Sequence, residues 1–262
     1  MSSLPQPDPT LARARAFVGQ HGGELARLRV RALMGEAEPA GLVQVLEDRQ
    51  EPGGAIGSFD GGERGLGSTT EALEWLGDLQ LLGLPCAERA AGFVVSSQLA
   101  DGSFGEPPDA QLETRLQQSG RLAPVLARMV CVPLARLESV GEFLAAQFSV
   151  GRVQAGGFED LAPFLPFFAI HPHELSDAAL QWCGRELERS FRSGRLSPLE
   201  AGRLFVRSVA RSLPATRLDG REILPALLAT QRADGSFGAD GCEARSRVGE
   251  TLDAILVLLR LG

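Results

Sequence analysis

Residues 98–105 read QLADGSFG and residues 231–238 read QRADGSFG, so one eight-residue segment occurs twice with a single difference. The two Asp-Gly-Ser-Phe-Gly stretches begin at Asp101 and Asp234, which are 133 residues apart, or three units of about 44 residues. Regular recurrence of this kind is typical of repeat proteins, in which each unit buries its apolar face against its neighbours. The pair therefore predicts a chain that is built from repeats.

Weaker copies of this segment are expected where the same period places them. They are Gly57-Ser58-Phe59 after Gln50, Gly156-Gly157-Phe158 after Gln147, Arg195 to Pro198, and Gly22-Gly23. Before each loop, apolar residues recur at helical spacing, as at Val140, Phe143 and Leu144. After the loop comes a more uniformly apolar helix, such as 251–261, which indicates burial on both sides.

The predicted fold is all-α, with about six helix-hairpin repeats, roughly twelve helices and no strand. We assign residues 9–262 to a single domain and residues 1–8 to a short flexible N-terminus. In the loops, Gly102 and Gly235 are expected to take a positive φ, and the following phenylalanine is expected to anchor one hairpin to the next. Capping boxes are predicted at Ser68 with Glu71 and at Ser197 with Glu200.

Composition excludes several classes of function. The formal net charge of −7 argues against nucleic-acid binding, which requires basic surface. No apolar run is long enough for a transmembrane helix, and the first ten residues lack the segments of a secretion signal. The four cysteines show no metal-binding or disulfide spacing, which favours a reducing compartment. We therefore expect a cytoplasmic protein.

The two loops resemble the glutamine-to-Gly-Ser-Phe repeat that protein prenyltransferase β subunits share with squalene–hopene-type (class II terpene) cyclases. Leu112-Glu113-Thr114-Arg115 resembles the start of an inner helix in the prenyltransferases, and residues 65–83 (GLGSTTEALEWLGDLQLLG) resemble a cyclase repeat. The resemblance covers residues 9–262 and concerns the fold more than the reaction. It implies an α/α toroid in which the helices after the loops surround a deep, largely apolar cavity.

The resemblance also implies where a substrate would lie. Helix N-termini at the cavity mouth favour an anionic diphosphate, and an apolar barrel suits an isoprenoid chain. The residues implied for the head group are Glu113, Arg115, Arg245 and Arg247, and those implied for the chain are Trp75, Phe164 and Phe168. Ordinary core packing is the alternative interpretation of the same aromatic residues. A cavity filled by the phenylalanines of 162–169 would favour a scaffold.

Two acids are the candidates for acid-initiated cyclisation, in which a carboxylic acid protonates an alkene. The Asp-x-Asp-Asp motif of the class II cyclases is absent, but Glu250 and Asp253 stand one helical turn apart. Asp253 lies within an apolar helix, where burial would raise the pKa of an unpaired carboxyl group. The alternative is a salt bridge from Asp253 to Arg247 or to an arginine of a neighbouring unit.

Metal chemistry is the weaker prediction. Asp240-Gly241-Cys242 matches the Asp-x-Cys motif of the prenyltransferase zinc site, but Glu250-Thr251 stands where that family has a histidine. We therefore predict no cofactor, and leave a zinc site of Asp240, Cys242 and Glu250, or a magnesium ion, as alternatives.

Three functions remain open from the sequence. The first is an isoprenoid-binding, cyclase-like protein that takes a prenyl diphosphate or a related small molecule. The second is a noncatalytic binding or scaffold toroid, and the third is a zinc-dependent prenyltransferase-like enzyme. A protein partner is left open as well.

Overall fold

The computed structural model describes residues 8–58, 65–105, 111–239 and 242–262. Within these ranges the chain forms α-helices and no strand; the extended pairings there are isolated bridges from Gln50 to Ile56 and from Gln98 to Phe104. The all-α prediction is confirmed. In chain order the helices are α1 (Pro9–His21), α2 (Glu24–Leu33), α3 (Ala40–Asp48), α4 (Leu66–Asp78), α5 (Pro85–Ser96), α6 (Leu112–Leu126), α7 (Leu134–Gln147), α8 (Val150–Ala155), α9 (Phe158–Leu161), α10 (Leu165–Ile170), α11 (Ser176–Arg192), α12 (Pro198–Arg207), α13 (Gly220–Ala229) and α14 (Arg247–Leu261).

These fourteen helices exceed the predicted twelve because one unit is broken into short pieces. Gly156 takes the left-handed conformation (φ 72°) and ends α8. Pro166 stands in the first turn of α10, where its missing N–H is tolerated, but a continuous helix through this position would lose a hydrogen bond. None of the helices in the described ranges is long and apolar enough to cross a membrane.

The helices pack in pairs, and the helices that follow loops also contact one another. The pairs are α4 with α5, α6 with α7, α10 with α11, and α12 with α13. These post-loop helices form a series in which each helix contacts the next, in the order α4, α6, α10, α12, α14 and α2. The last helix, α14, packs on both α1 and α2, so the two ends of the chain meet. One cluster of buried apolar residues extends from Ala14 to Leu261.

Three loops are held by the same glutamine contacts. In each, the side-chain amide donates to the carbonyl four residues later and to a carbonyl in the first turn of a helix from another unit. The donors and helix acceptors are Gln50 to Cys86 (2.8 Å), Gln98 to Arg136 (3.0 Å) and Gln231 to Thr10 (2.9 Å). The acceptors within the loops are Gly54 (3.1 Å), Gly102 (2.9 Å) and Gly235 (3.0 Å).

The loop glycines have the predicted conformation. Gly102 and Gly235 take φ values of 85° and 87°, a region that side chains rarely tolerate. A Cβ atom at either position would also collide with a helix carbonyl, that of Ser139 or that of Arg13. Glycine is therefore required both by the backbone angle and by the close approach of the next helix. The phenylalanine two positions later, Phe104 or Phe237, is buried as expected.

The register predicted for the first loop is wrong. Ile56 occupies the place of the loop phenylalanine: its N–H donates to Thr69 Oγ1 (3.0 Å), as that of Phe104 donates to Ser119 Oγ (2.8 Å). We expected Phe59 there, because Gly57-Ser58-Phe59 matches the Gly-Ser-Phe of the other two loops. Phe59 itself lies outside the described residues.

Helix starts were partly predicted. Ser197 and Glu200 form the expected capping box, and Pro9 stands in the first turn of α1 behind the N-cap Asp8. Ser68, however, is not an N-cap, because α4 begins at Leu66. Its hydroxyl donates instead to the carbonyl of Ile56 at 2.6 Å, so this side chain holds the preceding loop.

Candidate functional site

A cavity of about 460 Å³ lies between the post-loop helices, and we call it the charged cavity. Residues of α2, α4, α6, α9, α12 and α14 line it. Its charged residues are four arginines (Arg29, Arg121, Arg203, Arg207) and six acids (Glu71, Glu74, Asp78, Glu159, Glu200, Asp253). Trp75, Phe158 and Ala162 contribute apolar surface. The largely apolar cavity that the family resemblance implied is therefore not what these side chains form.

Helical periodicity explains why the charges converge. In α4, positions 71, 74, 75 and 78 share one face, and the structure turns that face to the charged cavity. Leu73 and Leu76 lie on the opposite side and are fully buried. In α12, Arg203 and Arg207 are likewise one turn apart on the cavity face.

Glu74 is the centre of one ion-pair cluster. Arg121 donates to both of its carboxylate oxygens (2.7 and 3.2 Å), and Arg207 donates to one of them at 3.2 Å. Burial raises the pKa of Glu74, but the charges and hydrogen bonds of Arg207, Arg121 and Arg203 outweigh it, so the pKa is lowered overall. The carboxylate is therefore held in its ionised form.

A second cluster joins α2, α4, α12 and α14. Arg29 pairs with Asp78 at 2.7 Å and lies 3.8 Å from Asp253, while Arg203 lies 3.1 Å from Asp253. Burial raises the pKa of Asp78 despite the attraction of Arg29, and the nearby carboxylates of Asp253 and Glu74 raise it further. The guanidinium of Arg29 also stacks 5.3 Å from the centre of the Trp75 ring.

Arg203 and Arg207 form a neighbouring pair of cations over one aromatic ring. Their guanidinium carbons lie 5.4 and 5.9 Å from the centre of the Phe158 ring. A guanidinium has five N–H donors; Arg207 uses one, towards Glu74, within the part of the chain that the structure describes. The arrangement leaves donors of two adjacent cations available on the cavity wall, which suits an oxyanion.

The remaining acids of the charged cavity are held differently. Glu200 accepts from the backbone N–H and the hydroxyl of Ser197, both at 2.8 Å, as part of its capping box. Glu159 is exposed, and the charge of Glu71 adds to the attraction that Glu74 exerts on Arg121. Within the two clusters, four arginines face three carboxylates in direct ion pairs.

The structure separates the two acids proposed for catalysis. Asp253 lines the charged cavity and is paired with Arg203 of the neighbouring unit, as the alternative interpretation of the sequence had it. Glu250 lies elsewhere, with its carboxylate against the backbone of Gly238. Although the two residues are one turn apart, only Asp253 is among the residues that line the charged cavity.

Two arginines predicted to orient an anion hold the loops instead. Arg115 donates to Asp101 (2.5 Å) and Ser103 (3.0 Å). Arg247 makes the equivalent contacts, to Asp234 (2.9 Å) and to Ser236. These matched contacts connect each loop to the helix that follows it.

The other predicted substrate residues are dispersed. Glu113 is largely exposed and binds Arg152 through two hydrogen bonds of 3.0 and 3.1 Å. Phe164 and Phe168 are buried in the core, where Phe164 packs edge-on against Phe148. Of the phenylalanines of 162–169, none is among the residues that line the charged cavity.

Trp75 and Arg245 mark a neighbouring recess of about 350 Å³. Trp75 lines both spaces, as do Arg29, Glu71 and Gly249. The apolar residues of the recess are Leu25, Ala26, Val248 and Leu252. Here the structure places an aromatic ring and an aliphatic surface beside the charged cavity.

The proposed zinc ligands fall partly outside the structure. Asp240 is not among the described residues, Cys242 is exposed, and Glu250 contacts Gly238. In the described ranges, no three histidine, cysteine or acidic residues stand close enough together to hold a metal ion.

The arginines of the charged cavity were not singled out from the sequence. Arg121 and Arg203 interrupt apolar stretches of α6 and α12, and this interruption was the available signal. The same signal, a charged residue within an apolar helix, led us to select Asp253 in α14, but we did not apply it to the arginines that face Asp253.

Comparison with known proteins adds no relative. No model of a known protein family matches the chain, and the search of curated proteins gives no match. The case for a function therefore rests on the loops and on the charged cavity.

Proposed function

We propose that this protein is a ligand-binding α/α toroid whose central cavity takes a small oxyanion between Arg203 and Arg207. Six helical hairpins would form the ring, and the charged cavity would be its centre. The oxyanion would lie between these two arginines, and the other charged residues of the cavity would hold the arginines in place.

Contacts between the chain ends support the ring. α14 packs on α1 and α2, and Gln231 reaches Thr10 in the manner in which Gln98 reaches Arg136. Across the remaining gap between α2 and α4, Arg29 pairs with Asp78. A closed ring removes the exposed terminal units that an open stack of repeats would have to cap.

The single observation that carries the ligand class is the pair of guanidinium groups over Phe158. Two cations one helical turn apart repel each other, and an oxyanion bound between them would relieve that repulsion. Glu74 and Asp253 fix the two side chains from either side without using all of their donors. A rigid, incompletely used set of donors is the arrangement that binds phosphate or carboxylate groups.

A prenyl diphosphate is the second candidate, and the apolar residues in the recess beside Trp75 favour it, although His21, Glu24, Arg49 and Arg245 line the same recess. The diphosphate would lie at Arg203 and Arg207, and the hydrocarbon chain would extend past Trp75 towards Val248 and Leu252. A squalene-like hydrocarbon without a head group fits less well, because it would desolvate the charged side chains of the wall without replacing their interactions with water.

Acid-initiated cyclisation would need a further change. Asp253 would have to release Arg203 and carry a proton before it could donate to an alkene. If cyclisation of a prenyl substrate is observed, Asp253→Asn should abolish it and leave the fold intact. Metal analysis of the purified protein addresses the zinc-dependent alternative, because a structural or catalytic zinc would be stoichiometric.

Isothermal titration calorimetry with inorganic pyrophosphate, geranyl diphosphate and geraniol tests the proposal. We expect pyrophosphate to bind, and expect Arg203→Gln and Arg207→Gln each to weaken binding about tenfold or more, since each removes charge-assisted hydrogen bonds. Arg221→Gln is the matched control, because Arg221 is exposed on α13 and is not part of the cavity wall.

Each outcome has one meaning. Tighter binding of geranyl diphosphate than of pyrophosphate would support the isoprenoid ligand. Equal affinities would support a small oxyanion. If neither anion binds to the protein, or if Arg207→Gln binds pyrophosphate as tightly as the native protein does, the proposal is refuted. The noncatalytic scaffold is then the remaining interpretation.

A further inference from the structure

A second, smaller cavity of about 190 Å³ lies where α4, α12 and α14 end. It shares Asp78 with the charged cavity, and three arginines, Arg128, Arg211 and Arg260, contribute to its wall. None of these three arginines is part of the site proposed above.

Two of the arginines are fixed side by side on the end of α4. Arg128 donates to the carbonyl of Gly77 at 3.0 Å, and Arg260 donates to the next carbonyl, that of Asp78. Cations at a helix C-terminus are favoured by the helix dipole, but this placement also brings two like charges together. Burial lowers the pKa of Arg128, Asp78 opposes that effect, and the charge of Arg260 lowers the pKa further.

The third arginine has no counter-charge among the described residues. The side chain of Arg211 makes no hydrogen bond or ion pair with any residue that the structure describes. Of the described residues in the wall of this smaller cavity, only Asp78 is a carboxylate, and it is already paired with Arg29 at 2.7 Å. Three guanidinium groups and one acid that is already paired therefore line the described wall.

Part of the wall is apolar. Val206, Val209 and Ala210 belong to it, and Val209 is exposed at 63%, whereas Phe205 and Leu261, which also line the cavity, are buried. Val209 and Gln80, both in the wall, have positive φ values of 51° and 62°. For a β-branched residue such as valine this conformation is costly, and here it holds an apolar side chain at the edge of a basic cavity.

We propose that this smaller cavity binds a small organic carboxylate with a compact apolar body. The carboxylate lies among Arg128, Arg211 and Arg260, where it neutralises their mutual repulsion, and the apolar body packs on Val206 and Val209. This site is independent of the ligand in the charged cavity.

Benzoate is the probe, with inorganic phosphate as the anion that lacks an apolar body. Titration of the protein, followed by the amide NMR shifts of 77–80 and 205–211, should show benzoate binding there more tightly than phosphate. These amides are read separately from those of the charged cavity, whose arginines are also proposed to take an oxyanion. Arg211→Gln should weaken benzoate binding at these amides about tenfold; because Arg211 is exposed and its side chain makes no hydrogen bond or ion pair with the described residues, this variant should fold normally.

Two controls distinguish this site from the charged cavity. Arg203→Gln, at a residue that lines the charged cavity and not the smaller one, and Arg221→Gln should both keep the benzoate-induced shift changes at 77–80 and 205–211. The inference is overturned if millimolar benzoate does not shift these amides, if Arg211→Gln leaves their titration unchanged, or if Arg203→Gln abolishes it. Phosphate that shifts the same amides at as low a concentration as benzoate does would contradict the role of the apolar wall.

Discussion

Gln231 donates its side-chain amide to the carbonyl of Thr10 at 2.9 Å, which joins the last loop of the chain to its first helix. Gln98 makes the same contact to Arg136 at 3.0 Å between units that are consecutive in sequence. The junction between the chain ends is therefore built like an internal junction, and it supports the proposed closure of the ring.

Removing either glutamine should destabilise the protein to a similar degree. Each of Gln231→Ala and Gln98→Ala loses two hydrogen bonds to backbone carbonyls, so we expect the free energy of unfolding to fall by about 1 to 3 kcal/mol. Urea denaturation measures the change. Gln44→Ala is the control, because Gln44 is exposed and bonds only Asp48 on its own helix. A loss for Gln231→Ala as small as the control would show that the terminal junction contributes little.

Glycine-to-alanine substitutions at Gly235 and Gly92 should change the free energy of unfolding in opposite directions. Gly235→Ala places a side chain at φ 87° and against the Arg13 carbonyl, so it should cost about 1 to 3 kcal/mol or more. Gly92 lies within α5 with open space around it, and Gly92→Ala should stabilise by about 0.5 to 1 kcal/mol. Thermal denaturation of both variants is the test, and destabilisation by Gly92→Ala would argue against the local packing.

Asp234 should titrate far below the usual range. The hydrogen bond from the Ser236 hydroxyl, assisted by the backbone N–H of Ser236 and by Arg247, lowers the pKa of Asp234 to about 2. Because this pKa is lower than in the unfolded chain, the ionised carboxylate stabilises the fold above pH of about 4, and this contribution is lost as the pH falls towards 2.

Carboxyl-carbon NMR shifts recorded against pH measure this pKa directly. Ser236→Ala should raise it towards the ordinary value of 3.8 for an aspartate. Titration of native Asp234 near that value would show that its contacts with Ser236 and Arg247 are not formed in solution, and an unchanged pKa in Ser236→Ala would show that the contact with Ser236 is not formed.

Glu74→Gln should lower stability and strengthen anion binding together. The substitution removes the negative charge that pairs with Arg121 and Arg207, so we expect a loss of about 1.5 to 3 kcal/mol in the free energy of unfolding. The amide oxygen of Gln can still accept from both arginines and keep them in place. With one negative charge fewer beside them, the dissociation constant for pyrophosphate should fall. Glu159→Gln is the control, since Glu159 is exposed on the same cavity wall. Weaker pyrophosphate binding by Glu74→Gln would contradict the assignment of the arginines.

The repeat loops could be predicted from the sequence because their requirements are local. A positive φ needs glycine, and a buried loop position needs an apolar side chain, so Gly102 and Phe104 are recognisable in isolation. The register of the first loop was missed for a related reason. Ile56 meets the same packing requirement as phenylalanine, which the match of Gly57-Ser58-Phe59 to the Gly-Ser-Phe of the other loops concealed.

The site could not be predicted in the same way, because its charges come from helices that are distant in sequence. Arg29 and Asp253 approach only where α2 and α14 meet. Arg115 and Arg247 looked like anion-binding residues because they begin post-loop helices, but the aspartates of their own loops bind them. Periodicity assigns a residue to a helix face, and only the packing of the helices decides which face surrounds a cavity.

A crystal structure of the protein grown with pyrophosphate tests the central claim most directly. The account predicts diphosphate density in the charged cavity, with oxygen atoms within hydrogen-bonding distance of the guanidinium groups of Arg203 and Arg207 and with Asp253 and Glu74 still paired. Density for the anion only elsewhere, or an empty cavity at saturating pyrophosphate, would contradict it.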